Sequence, residues 1–374
     1  MELTQEQIDY CMECGVCTGS CPVSRVLPQF SPRQMIKRAM EEPDGDLTRA
    51  REIWACLTCQ RCSTRCPVAI DFPEFIRSYR QKARGRGNIP LESHHGMMQS
   101  IAQIQMGETQ QQRTSWAKGA GEFAEKGDYF YFVGCLPYFE VIFSYLNISP
   151  IKSARGVLAL LNRMGITPVI SNDERCCGHD ALWSGNEATF LHLAERNLEI
   201  IKSSGARTVI FSCPEGYTTF KDYYPKYLGD LPFEVIHMTE LLARELPEAN
   251  LSFRPSDNGA ITYHDPCRLG RGSGLYEEPR ELLGLIPEAR LLEMGRNREN
   301  SLCCGTSAWM ECSNCSKAMR IERLNEAIQT GAKTLITACP KCQIHLTCAQ
   351  GTAEMDLRVT DLYAYLLDRL DKAE

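Results

Sequence analysis

The cysteines are the residues of this sequence best suited to chemistry. Cys11, Cys14, Cys17 and Cys21 form one run closed by Pro22, and Cys56, Cys59, Cys62 and Cys66 repeat the same spacing ahead of Pro67. Three thiolates separated by two residues each wrap one corner of a cubane, and the fourth, set before proline, points away and reaches the neighbouring cluster. The spacing therefore predicts two [4Fe-4S] cubanes, one on Cys11, Cys14, Cys17 and Cys66 and the other on Cys56, Cys59, Cys62 and Cys21. Paired zinc sites would need two close pairs each and no cysteine before proline. With every ligand position filled by protein, such clusters carry single electrons and bind no substrate.

A second cysteine pattern occurs twice. Cys135, Cys176-Cys177-Gly178 and Cys213-Pro214 precede Cys267, Cys303-Cys304-Gly305 and Cys339-Pro340, at offsets of 132, 127 and 126 residues. Three marks in one order at nearly constant offset indicate a duplicated unit. The later copy also has Cys342, so five thiolates (Cys267, Cys303, Cys304, Cys339 and Cys342) converge, too many for zinc or one ordinary cubane. Gly305 lets the backbone turn tightly beside the adjacent pair. The earlier copy has Gly216 where the later has Cys342. Glu215 could offer an oxygen there, although iron–sulfur clusters favour soft thiolate. A cluster bridged by the adjacent cysteines, a cubane on four thiolates, and a set of free buried cysteines are all open for this copy.

Strands and helices alternate through both copies, which predicts α/β units with mainly parallel sheets. Strands are expected at Tyr129–Val133, Pro168–Ile170 and Thr208–Ser212, then at Ala260–His264 and Thr334–Ala338. Helices are expected at Ala154–Met164, Glu187–Lys202 and Ser316–Thr330, with Gly205 and Gly331 as C-cap signals. The cysteines fall at the carboxyl ends of predicted strands, where α/β sheets place ligands. The N-terminal region reads helical, with Ser31-Pro32 as a start signal, a stripe of Met35, Ile36, Ala39 and Met40, and a further helix after Pro73. The expected fold is therefore an α+β multidomain chain: residues 1–84 a two-cluster ferredoxin-like domain, 85–127 a linker, and 128–255 and 256–374 two α/β domains related by a pseudo-twofold.

In combination these motifs resemble the iron–sulfur proteins of the heterodisulfide reductase type, which fuse a two-cubane ferredoxin-like domain to two cysteine-rich CCG domains. The segment His264-Asp265-Pro266-Cys267-Arg268-Leu269-Gly270-Arg271 looks typical of the family, as do Cys303-Cys304-Gly305 and Cys339-Pro340-Lys341-Cys342. The resemblance spans essentially the whole chain. It implies a non-cubane four-iron cluster on Cys267, Cys303, Cys304, Cys339 and Cys342, and a degenerate site on Cys135, Cys176, Cys177 and Cys213. It also implies an oxidoreductase subunit of anaerobic metabolism within a larger complex. Related subunits serve glycerol-3-phosphate and lactate oxidation.

Each remaining residue of interest has two readings. His264, beside the five-cysteine set, could donate a proton to a leaving thiolate or simply bond the backbone, and His179 is weighed in the same way. Arg268 and Arg271, in a Gly-rich loop, could attract an anionic substrate or belong to a solvated loop. The stretch Arg77, Arg80, Lys82, Arg84 and Arg86 would be a solvated helix end, or a dock for an acidic partner or anionic lipid. Cys312 and Cys315 could form a redox dithiol, and Cys348 reads as core. No dinucleotide or P-loop pattern occurs, so flavin and nicotinamide are expected on partner subunits.

The chain has 374 residues, 20 cysteines and a formal net charge of −6. That balance argues against a nucleic-acid binder. The start lacks the features of a secretory signal, so reduced thiols and a cytoplasmic location are expected, peripheral to the membrane through a partner at most. Tyr129 to Leu146 is too short and interrupted to span a bilayer. The leading function is electron relay through the two cubanes to the non-cubane cluster, which reduces a disulfide or related sulfur–sulfur bond. The alternative is pure electron transfer between a flavoprotein dehydrogenase, of glycerol-3-phosphate or lactate type, and a quinone or ferredoxin pool. A scaffold whose first copy only docks partners is a third.

Overall fold

The structure, a computed structural model, describes residues 8–41, 46–245, 251–256 and 259–371. Two parallel sheets follow a helical N-terminal region. In the first, β1 (Tyr129–Phe132), β2 (Thr208–Phe211) and β3 (Glu234–His237) lie in that order. Val169 forms an isolated parallel bridge to Phe130 on the free edge of β1. The second sheet holds β4 (Ala260–His264), β5 (Arg290–Leu291), β6 (Thr334–Thr337) and β7 (Arg358–Asp361), in the order β5-β4-β6-β7. Val169 and β5 occupy the same place, so both copies share one topology. Buried on both faces, the strands read as continuous apolar runs such as Tyr-Phe-Tyr-Phe.

The duplicated units pack by exchanging equivalent helices. Helix Pro150–Arg163 of the first lies on Leu362–Leu367 of the second, while Met238–Glu245 of the first lies on Glu278–Gly284 of the second. The second helix of each unit thus meets the closing helix of the other, which is the signature of a pseudo-twofold. Gly156 makes the close approach possible, since a Cβ there would collide with the Tyr363 carbonyl oxygen.

Helices Pro150–Arg163, Glu187–Ser204 and Asn314–Gln329 answer the three predicted ones. Gly205 and Gly331 both lie in the left-handed region. The strand expected at Pro168–Ile170 shrinks to the single bridge at Val169. The closing strands β3 and β7 carry no signal in the sequence: they are four residues each, with an exposed first residue. At the N-terminus, helix Pro32–Glu41 buries Met35, Ile36 and Ala39. Helix Phe72–Gly85 starts at Asp71, whose carboxylate caps the Glu74 amide.

The basic stretch is only partly a solvated face: Lys82 and Arg86 are exposed, while Arg77 and Arg80 are buried. Arg80 is fully buried and donates to the carbonyls of Ile53, Trp54, Cys56 and Trp183 at 2.6–3.2 Å. Arg77 is buried against Glu74 at 2.9 Å. The helix lies where its sequence places it, but Arg80 serves to clamp the cysteine loop before it to the first sheet domain. Residues 85–127 contain helix Met97–Ile104 and pack on the first sheet domain. There Arg113 is buried and bonds the Glu174 carboxylate at 2.6 Å. Among the described residues, no helix is long and apolar enough to cross a membrane.

Candidate functional site

The two N-terminal cysteine runs adopt one local geometry. Cys21 and Cys66 each have φ −73° and ψ 122°, the extended conformation that a following proline imposes. Cys66 lines one pocket with Cys11, Cys14 and Cys17, and Cys62 of the other run reaches the same wall. Cys21 lies within electrostatic reach of Cys56, Cys59 and Cys62, the set the spacing places it with. Burial pushes the Cys56 thiol up to about 12 and the Cys21 thiol up to about 11. Protons are costly to remove here without a compensating cation, which a metal cluster would supply. Cys14 is exposed, whereas Cys56, Cys59 and Cys62 are buried. One group therefore faces solvent and the other the protein interior.

In the first sheet β1 and β2 lie side by side, in the second β4 and β6 do, and the chain leaves each pair in opposite directions. Their carboxyl ends form the crevice where open α/β sheets bind ligands. Cys135 and Cys213 follow β1 and β2, and Cys267 and Cys339 follow β4 and β6. The Cys-Cys pairs enter from the neighbouring edge. Gly178 (φ 80°) and Gly305 (φ 84°) turn the chain back after them, and a Cβ on Gly305 would lie 2.6 Å from the Ser316 carbonyl oxygen. The third residue of each Cys-Cys-Gly is thus fixed by backbone conformation and space together.

In the second unit, Cys267 meets Cys303, Cys304 meets both Cys303 and Cys342, and Cys342 meets Cys339. Hydrogen bonds from Cys303 and Cys342 hold the Cys304 sulfur down to about 6. The Cys339 sulfur accepts from the Cys342 amide at 3.4 Å, starting helix Pro340–Ala353. Five thiols joined in one continuous series of contacts form a donor set suited to iron and sulfide rather than to one zinc ion. In the first unit, the Cys135 and Cys176 sulfurs lie 3.9 Å apart, and Cys176, Cys177 and Cys213 line one pocket with Cys135.

Lys341 links the two units. Its ammonium, buried, sits 2.6 Å from Asp180 and 2.5 Å from Glu215 of the first unit. His179 adds a contact of 3.1 Å to Asp180. His179, Asp180 and Glu215 have the spacing of a metal-binding trio, but the ammonium already stands between the two carboxylates. Glu215, the oxygen donor the sequence offered in place of a fifth thiolate, is committed to Lys341. Spacing could not reveal this pairing, since 161 residues separate Lys341 from Asp180.

Arg268 and Arg271 bond the protein's own groups, although Arg271 Nη2 has no partner among the described residues. Arg271 donates to the carbonyls of Cys59 and Ser301, both at 2.7 Å. Arg268 donates to the Thr58 hydroxyl at 2.8 Å and stacks 4.1 Å from the centre of the Trp183 ring. The Gly-rich loop is wedged against the buried N-terminal cysteine run. Cys59 and Cys303 fall within electrostatic reach across this joint, as do Cys213 and Cys339 across the joint between the units. The four cysteine groups therefore form an ordered series: the solvent-facing run, the buried run, the second unit, the first unit.

His264 is fully buried, and its Nδ1 accepts from Arg323 at 3.0 Å. Burial, and then Arg323 and Arg271, hold its pKa well below the usual histidine range. The ring is neutral with its proton on Nε2. The Cys312 sulfur receives a hydrogen bond from Arg320 at 3.5 Å, and the Cys315 thiol faces the Val26 carbonyl at 3.6 Å. Cys348 is half-buried.

Known proteins share this architecture. The 4Fe-4S dicluster domain family matches residues 7–70, and the cysteine-rich CCG family matches 129–221 and 261–347. One component of the dihydromethanophenazine:CoB–CoM heterodisulfide reductase of Methanosarcina acetivorans is 28% identical, over 97% of this chain and 94% of its own. Its counterpart in Methanosarcina barkeri is 31% identical over 70% of this chain and 63% of its own length. An EtfAB:quinone oxidoreductase of Syntrophomonas wolfei is 27% identical over 72% of this chain, which accounts for 39% of that protein. A hypothetical protein of Helicobacter pylori shares the fold, with a TM-score of 0.54 at 11% identity over 99% of this chain and 75% of its own. Matched at both its dicluster region and its two CCG units, the chain belongs to the heterodisulfide reductase-type iron–sulfur proteins.

Proposed function

We propose that this chain is the iron–sulfur subunit of a heterodisulfide reductase-like complex, carrying electrons inward from the Cys11–Cys66 group and reducing a sulfur–sulfur bond at its five-cysteine site. The serial order of the four cysteine groups is the observation that supports it. Iron–sulfur clusters on these thiols would supply one-electron transfer. The protein's part is to hold the groups in order, exclude water from the inner three and present the outer one to a donor. Exposed Cys14, with Tyr10, Met12 and Val16 exposed around it, is the face for a flavoprotein or another electron-transfer subunit. His264 offers Nε2–H as a hydrogen-bond donor at the end of β4. In the cytoplasm, the chain would reach a membrane only through such a partner. The test is reduction of disulfides by the isolated holoprotein with a viologen donor. Electron transfer to quinone or ferredoxin acceptors without disulfide reduction would instead support a pure relay, the reading favoured by the absence of a fifth thiolate in the first unit.

Two measurements check the cofactor assignment. Two cubanes and one non-cubane four-iron cluster give about 12 iron per chain and little zinc. A count near 8 would remove the non-cubane cluster, and one near 16 would add a cluster in the first unit. Cys66→Ser is expected to damage the cluster of Cys11, Cys14 and Cys17, because the fourth ligand crosses between the runs. Paramagnetic spectra that lose only the signal of the Cys56, Cys59 and Cys62 cluster would reverse the pairing.

A further inference from the structure

We propose that Arg271 is one positive charge shared by two electron-carrying groups. It stands between the buried N-terminal cysteine run and the five-cysteine site of the second unit, and it stabilises the reduced form of both. The proposal rests on the reductase reading above in placing iron–sulfur clusters on these thiols, and adds the residue that sets the energy of electron passage between them.

Three arginines meet at this joint, and none is matched by an acid. Arg61 belongs to the buried run, and Arg268 and Arg271 to the Gly-rich loop after Cys267. Arg61 and Arg268 are buried. Arg61 donates to the Asn300 carbonyl at 2.7 Å, and Arg268 to the Thr58 hydroxyl. Among the described residues, no carboxylate forms an ion pair with any of the three. By contrast, Arg280 and Arg298 of the same unit are matched by Asp265, Glu277 and Glu293. A buried cation without an anion is costly. Here like charges also crowd one another: burial, and then Arg65 and Arg271, pull the Arg61 pKa down to about 10. The unmatched charge is thus confined to the arginines beside the cysteines.

Arg271 is the one anchored to both sides. Its Nε donates to the carbonyl of Cys59, in the buried run, and its Nη1 to that of Ser301, two residues ahead of Cys303, both at 2.7 Å. Its Nη2 is buried with no partner among the described residues. A buried donor left unmatched is costly, and the nearby negative groups are sulfurs. Cys59 on one side, and Cys267 and Cys303 on the other, lie within electrostatic reach and hold the guanidinium charged against the effect of burial. Each electron taken up by either group adds one negative charge. In a medium of effective dielectric about 20, a unit charge roughly 10 Å away changes an equilibrium by about tenfold, and a buried charge is screened little by salt. In the step concerned, one electron leaves the group of the buried run, which is oxidised, and enters that of the second unit, which is reduced. No bond is made or broken and no proton moves. Because Arg271 favours the reduced form on both sides, the electron keeps its stabilisation as it crosses.

The test is a redox titration of the anaerobic holoprotein followed by paramagnetic spectra, with signals assigned by their loss in Cys66→Ser and Cys342→Ala. Arg271→Gln removes the charge and keeps a donor for one carbonyl, whereas Arg271→Lys keeps the charge and loses the planar fork. In Arg271→Gln, the reduced-to-oxidised ratio of both inner groups at a fixed potential should fall about tenfold, which is about 59 mV for one electron. The solvent-facing group should move less, and Arg271→Lys should stay near the parent. No shift in Arg271→Gln, a shift in only one of the two groups, or equal shifts in the Gln and Lys variants would overturn the proposal, the last because the carbonyl bonds rather than the charge would then matter. If Arg271→Gln loses iron, Gly272→Asp decides. A Cβ there meets nothing closer than 3.7 Å, Arg271 keeps its bonds, and the added carboxylate should lower both potentials. Unchanged potentials in that variant would overturn the proposal. A parent without a second-unit signal would sink the shared charge and the five-cysteine site together. The expected shifts in a protein that reduces no disulfide would keep the shared charge and sink the reductase reading.

Discussion

Cys342→Ala is expected to cut sulfur–sulfur reduction roughly a hundredfold or more, beyond the loss typical of an outer-shell change, while the N-terminal cysteine runs still take up electrons from an artificial donor. Cys342 is the residue that distinguishes the second unit from the first, where Gly216 stands in its place. In the structure it contacts both Cys304 and Cys339, so its loss separates Cys339 from the other three thiols. A metal centre can present an open position only if its other bonds are held firmly, and five thiols gathered at one site can do that. Turnover of Cys342→Ala and Cys213→Ala, with iron counts and paramagnetic spectra alongside, makes the comparison. A loss confined to Cys342→Ala places bond cleavage at the second unit. Equal losses mean that the two units act together across the joint where Cys213 and Cys339 approach. Unchanged turnover in Cys342→Ala would remove the second unit from the chemistry.

Lys341→Met is expected to destabilise the protein by about 3–5 kcal/mol, the range for stripping one partner from a buried ion pair. The side chain keeps similar length and apolar bulk, so the loss is that of the ammonium. Asp180 and Glu215 would then share a buried site with no cation between them. Lys341 holds Asp180 well below the ordinary carboxylate range, against the opposing effect of burial. A depressed carboxylate contributes stability that is present above its unfolded value and lost as pH falls through its folded one. The parent protein should therefore hold this contribution at neutral pH and shed it only in acid, whereas Lys341→Met should lack it at neutral pH already. Denaturant unfolding of the holoprotein at pH 7 measures the difference. The double variant Lys341→Met with Glu215→Gln should recover part of the loss, because one of the two stranded charges is gone. A single variant as stable as the parent would show that the ion pair is not what joins the two units.

The cysteine motifs were legible in the sequence because they are encoded locally. Three thiolates two residues apart, with a fourth before proline, describe a local loop geometry, and Cys21 and Cys66 have the same backbone angles. The Cys-Cys-Gly pairs and the offsets between them disclosed the duplication, and alternating elements disclosed parallel sheets with cysteines at their carboxyl ends. Long, amphipathic or well-capped helices such as Glu187–Ser204 were recognisable for the same reason: hydrophobic period and capping residues act within a few positions. The short strands β3 and β7 had no such signal, because pairing partners far along the chain define them, and the strand expected at Pro168–Ile170 pairs with β1 only at Val169.

Only the tertiary structure decided what the charged residues do. Arg80, Arg268 and Arg271 look like surface cations in the sequence. In the fold Arg80 and Arg268 are buried, and all three donate to backbone carbonyls or a hydroxyl of a segment distant in sequence. Lys341 occupies the second unit's cysteine motif, yet its partners belong to the first unit. Whether a charge is solvated, paired or spent on carbonyls depends on which surfaces meet, and those surfaces come from segments that no local pattern connects. The same holds for the order of the four cysteine groups. Residue spacing sets which atoms can bind together, and packing over long sequence separations sets which groups become neighbours.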